Sequence, residues 1–63
     1  MNRHDLLDLV MAYDKGRADV EFDSRGDICV TTWDKSGKIK DVWNSYNYHT
    51  MGEFYKEVKQ RLK

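Results

Sequence analysis

The 63-residue chain has no proline, one cysteine and four glycines. Each scarcity excludes something. With Cys29 alone, no intramolecular disulfide can form. His4 and His49 stand far apart without a second cysteine, so no zinc-ligand spacing is present. No glycine-rich loop exists to cradle a phosphate. The opening stretch "MNRHDLLDLVMAYDKG" has no long apolar run, so neither a signal peptide nor a membrane span is expected. A lone thiol fits a reducing compartment, and a cytoplasmic location is expected. Charge of one sign is also missing. Eleven basic side chains balance eleven acidic ones, which argues against binding nucleic acid by bulk charge.

Catalytic chemistry is equally sparse. His4 falls in the first turn of a predicted helix and His49 just before the start of another, so both read as exposed end residues. Cys29 lies mid-strand with no base beside it and reads as a small apolar filler. Asp19, Glu21 and Asp23 alternate along one strand, and Asp27 follows. Such a set offers oxygens to a hard cation. Carboxylates two apart on an edge strand more commonly keep other strands from pairing there, so they are read as an acidic edge. No enzyme activity, cofactor or metal is expected.

What the chain does have is pattern. One domain is the most that this length supports, and it buries only about 60% of the surface its unfolded form exposes. Residues 1–27 hold seven acids against four bases, and residues 28–63 hold four against seven, which predicts an acidic and a basic pole. Leu6, Leu9, Val10 and Tyr13 follow helical spacing, with Leu7 and Met11 widening the stripe. A first helix is predicted from about Arg3 to Lys15, capped by Asn2 and stopped at Gly16. Thr50 and Glu53 form a capping-box signature for a last helix with Met51, Phe54 or Tyr55, Val58 and Leu62 on its apolar side. Lys56, Lys59, Arg61 and Lys63 suit its C-terminal dipole.

Between the helices, Ala18, Val20 and Phe22 alternate with acids, "DICVTTW" is rich in β-branched residues, and "KIKDVWNSYNY" reads as a third strand. Ser24–Gly26 and Asp34–Gly37 are turns. The predicted fold is α+β: α-β-β-β-α, a three-stranded antiparallel meander with both terminal helices on one face.

The aromatic rings decide what the other face does. A three-residue loop with a bulge at Gly37 sets Trp33 opposite Ile39, Cys29 opposite Trp43, and Val30 opposite Val42. Both faces then carry apolar residues: Ile28, Val30, Val42 and Tyr46 on one, Cys29, Trp33, Ile39 and Trp43 on the other. A one-residue slip would instead pair Val30 with Trp43 and place that ring in the core. Tyr46 and Tyr48 are expected at the strand end with half-buried rings. An uncovered set of two indoles and an isoleucine would be a contact surface. Trp33, Trp43, Ile39, Tyr46 and Tyr48 are therefore the candidate partner-binding residues.

The order helix, three strands, helix, with the opening "MNRHDLLDLV", resembles that of small phage-encoded proteins that block CRISPR nucleases. The resemblance covers the element order and the N-terminal "MN" and "DL". It implies a non-catalytic viral or mobile-element inhibitor that acts by binding a protein. Inhibitors of that kind that mimic DNA are markedly acidic. In this neutral chain only Asp19, Glu21, Asp23 and Asp27 offer that character.

The same element order occurs in double-stranded-RNA-binding domains, but their basic cluster is absent from "HTMGEFYKEV", which holds only Lys56 and Lys59. A nucleic-acid reading would instead stack bases on Trp33, Trp43 or Tyr46. Phosphates would then meet Lys35, Lys38, Lys40, Lys56 and Lys59. Pairing of the sheet face or third strand with a second copy is a further way to gain burial.

Overall fold

The computed structural model describes residues 2–62. Lys63, counted above among the helix-end cations, lies outside them. In chain order the elements are α1 (Arg3–Ala12), β1 (Ala18–Phe22), β2 (Ile28–Trp33), β3 (Ile39–Asn44) and α2 (Met51–Arg61). They form the α-β-β-β-α fold, with an antiparallel sheet in the order β1-β2-β3.

Asn2 starts α1 with a reciprocal cap. Its Oδ1 accepts the Asp5 N–H at 3.0 Å, and the Asp5 carboxylate accepts the Asn2 N–H at 3.3 Å. The helix stops at Ala12, short of the expected Lys15, because Tyr13 turns extended (φ −71, ψ 128). A 3₁₀ turn, Asp14–Gly16, follows, with Lys15 at φ 57. The Arg17 guanidinium ties that turn down at 3.0 Å from the Asp14 carboxylate. Leu6 and Val10 are buried, whereas Met11, expected on the stripe, is 78% exposed. Helix α2 begins with half of its expected box, Thr50 Oγ1 accepting the Glu53 N–H at 3.1 Å. It buries Phe54 and Val58, and its C-cap Leu62 is buried too.

Both hairpin turns are built alike. In "DSRGD" the Asp23 Oδ1 accepts the N–H groups of Arg25 and Asp27, each at 2.9 Å. In "DKSGK" the Asp34 Oδ1 accepts those of Ser36 and Lys38 at 2.9 and 3.0 Å. Gly26 and Gly37 take φ 86 and φ 89, the left-handed backbone that side chains resist.

Buried and half-buried residues alternate along β2, with Ile28, Val30 and Thr32 inward. These join Trp43 from β3, Leu6 and Val10 from α1, and Phe54, Val58 and Leu62 in one core. Both helices therefore cover the same side of the sheet. The strand β3 ends at Asn44, sooner than expected, and Ser45–Asn47 form a 3₁₀ turn. Ser45 is buried there; its Oγ accepts the Ile28 N–H at 2.8 Å and donates to Asp27 at 3.3 Å. That hydroxyl completes the end of β2 where β3 has turned away.

Candidate protein-interaction face

Register places each candidate side chain. Trp33 pairs with Ile39 as expected, but Val30 pairs with Trp43 and Cys29 with Asn44. The ladder shifts between Thr32 and Trp33, leaving Lys40 as the extra residue of a bulge. A bulge sets two residues against one, so the alternation changes phase partway along β3. Val42 and Trp43 consequently exchange the faces expected for them.

Trp43, offered above as a contact residue, is corrected to a core residue. It is only 7% exposed and packs with Val30 and Phe54 in the core cluster. Tyr48 is half-buried, its ring edge-on to Phe54 at 5.7 Å. It supports the core more than it offers a surface. Tyr46 is 65% exposed, beyond the half-burial expected.

The side of the sheet away from the helices is made of three cross-strand rows. Glu21, Cys29 and Asn44 form the first, and Asp19, Thr31 and Val42 the second. In the third, Trp33 lies beside Ile39, and its N–H donates to the Arg17 carbonyl at 2.9 Å. Ile39 is 63% and Val42 47% exposed. The half-buried Trp33 indole lies in the same row as Ile39. Val42, placed inward by the expected register, is thus part of this surface. Its signal in the sequence is a β-branched residue three positions after Ile39, a spacing that puts both on one face only across a bulge.

The face is chemically polarised across the strands. Its β3 side holds Ile39, Val42 and Asn44, its middle Cys29, Thr31 and Trp33, and its β1 side Asp19 and Glu21, with Arg17 across from Trp33. Near one end lies a cleft of about 290 Å³, lined by Glu21, Asp23, Asp27, Phe22, Tyr46 and Asn44 among others. Among the described residues, the ion pairs are Arg17–Asp14 and Arg61–Glu57. None of Asp19, Glu21, Asp23 or Asp27 takes part in one. Asp23 and Asp27 spend one oxygen each on the turn and on Ser45. Asp19 and Glu21, by contrast, accept no side-chain hydrogen bond among the described residues, leaving their carboxylates open to solvent or a partner. No group of three or more His, Cys, Asp or Glu side chains among the described residues is arranged to hold a metal ion.

The five candidate lysines do not come together. Lys35 and Lys38 belong to the β2–β3 hairpin, and Lys56 and Lys59 to α2. Lys40 reaches to the helix-covered side, its Nζ 3.4 Å from the Tyr13 hydroxyl. Of the rings offered for stacking, Tyr46 is exposed and Trp33 half-buried; beside Trp33, just before β1, lies Arg17, already paired with Asp14, and the acids of β1 follow in the next rows.

No family model matches the chain, and no curated protein or solved structure matches it. No helix among the described residues is long and apolar enough to cross a membrane.

Proposed function

We propose that this is a non-catalytic protein-binding domain whose contact surface is the helix-free face of its sheet. One observation carries the reading: Trp33, Ile39 and Val42 lie together on a face that no element among the described residues covers. An apolar group of that kind on a small domain marks an interaction site. An indole flanked by aliphatic side chains is the usual composition of an interface hot spot, since it adds much contact area for few frozen torsions. An inhibitor or regulator of the phage type would act through such a face by occupying part of another protein's surface. The acids Asp19 and Glu21 in the neighbouring rows of this face and the dispersed lysines favour a protein partner over nucleic acid, where backbone charge dominates affinity.

The test is capture from the native host with the wild-type chain and with Trp33→Glu and Val42→Glu variants. Amide spectra should first show that both variants are folded. A partner retained by wild type and lost by both supports the reading. Equal retention by all three places the contact elsewhere. Salt-sensitive binding of short oligonucleotides by the same chain, lost in Trp33→Glu, would replace it with the nucleic-acid reading. A concentration-dependent dimer in sedimentation, also lost in Trp33→Glu, would make the partner a second copy.

A further inference from the structure

Resting on that reading, we infer that the occupant of the sheet face is a cationic amphipathic segment of a partner protein. Its apolar side chains cover Trp33, Ile39 and Val42, and its arginines or lysines lie over β1. The polarity of the face carries this. From β3 to β1 two of the three rows run from apolar or amide to acidic, Val42, Thr31, Asp19 in one and Asn44, Cys29, Glu21 in the next, while the third ends at Arg17, whose guanidinium is neutralised by Asp14 at 3.0 Å. A partner with one apolar and one basic side matches that order, whereas a purely apolar partner would strand two carboxylates at its rim.

The acids are free for such a role. Asp19 and Glu21 have no ion-pair or side-chain hydrogen-bond partner among the described residues. The cleft that continues the face past Glu21 adds Asp23 and Asp27, together with the rings of Phe22 and Tyr46. Phe22 already holds a guanidinium, that of Arg3, 5.3 Å from its ring centroid. Guanidinium groups combine carboxylate pairing with stacking on aromatic rings, which favours arginine over lysine at that end. A second copy fits less well. It would bring the same acidic strand, while its own lysines belong to the hairpin turn, the helix-covered side and α2.

The experiment uses the full chain, isotope-labelled, titrated with three seven-residue peptides alternating valine with arginine, with citrulline or with glutamate. Citrulline keeps the shape of arginine without its charge. The expected result is amide shifts in the three outer rows, with the arginine peptide bound about tenfold more tightly than the citrulline peptide and the glutamate peptide weakest. Asp19→Lys/Glu21→Lys should reverse the preference toward the glutamate peptide. Asp19→Asn/Glu21→Gln should bring arginine and citrulline level, and serves if the reversal does not fold. Arginine and citrulline peptides bound alike on the outer rows would overturn this inference and leave the interaction face standing. Arginine-peptide affinity unchanged by the uncharged variant Trp33→Ser, or amide shifts that map to the helices, would overturn both. Failure of all three peptides to bind would overturn the inference.

Discussion

The two tryptophans lie on neighbouring strands and meet opposite fates. Trp43 is sealed between the sheet and the helices, and Trp33 lies on the open side. Their difference comes from one residue. Read from the hairpin without interruption, β3 would carry Trp43 outward onto the face of Trp33, opposite Cys29. The bulge at Lys40 adds half a period, and Trp43 turns in. One extra residue in a short strand thus decides that the domain has one core indole and one surface indole. That division gives a chain of this size both a core and the uncovered apolar group on which the proposed contact rests.

The largest way to break the comparison is to truncate each ring. Trp43→Ala should cost about 3–5 kcal/mol, the usual loss for a buried tryptophan. A domain of this length has only about 3–9 kcal/mol in total, so urea denaturation should find the variant largely unfolded. Trp33→Ala should remain cooperative and lose about 1 kcal/mol or less, as befits a partly exposed ring. Equal losses would mean that the two indoles are not differently placed.

Ser45→Ala comes next. It strips the buried Ile28 N–H of its acceptor, a loss of about 1–3 kcal/mol by chemical denaturation. It should also speed hydrogen exchange at Ile28 itself. Deletion of Lys40 sharpens the comparison from another side. Removing the extra residue closes the bulge while keeping Val42 outward and Trp43 inward. The cost should be of order 1 kcal/mol, chiefly the lost contact with the Tyr13 hydroxyl. Trp43 fluorescence should stay blue-shifted. A red shift would show that the bulge does more than set phase.

Thr32→Val should go the other way. The Thr32 hydroxyl is buried on the same face as Trp43 without a hydrogen-bond partner. Exchanging it for a methyl of similar shape should raise stability by about 1 kcal/mol.

The smallest effect is on acidity. The Ser36 hydroxyl, 2.6 Å from the Asp34 carboxylate, and then the Lys38 N–H hold that carboxyl below its usual range. Its folded form therefore binds its proton less readily than its unfolded form. The stabilisation is complete above the ordinary carboxylate range and fades as pH falls through the folded value. Asp34→Asn should flatten the acid limb of the stability profile, and Ser36→Ala should flatten it in part.

Much of the fold is legible in the residues. Asn2 and Thr50 mark both helix starts, and the alternation in "ADVEFD" and "DICVTTW" marks two strands. Gly37 announces the hairpin that sets Trp33 against Ile39. The repeated Asp-x-x-Gly of "DSRGD" and "DKSGK" is a local signal for the paired turns, because an aspartate can bond the amides that follow it.

The bulge has no such signal. Lys40 is no glycine, and its placement goes with the burial of Trp43 in the core beneath the helices, a tertiary effect that a local pattern does not contain. The early end of β3 is of the same kind, since Ser45 turns inward to satisfy Ile28 from across the sheet. The candidate site was therefore half legible. Trp33 and Ile39 lay near the turn, where local rules hold, whereas Val42 and Trp43 lay beyond the phase change.

Acrylamide quenching of Trp43→Phe, which leaves Trp33 as the only indole, and of Trp33→Phe, which leaves Trp43, tests this division most directly. Both chains should first show the wild-type pattern of dispersed amide resonances. The Trp33 indole should be quenched severalfold more efficiently than the Trp43 indole, and a bound partner should protect Trp33 alone. Two indoles equally shielded in the free protein would contradict an open sheet face, and with it the contact surface proposed for this domain.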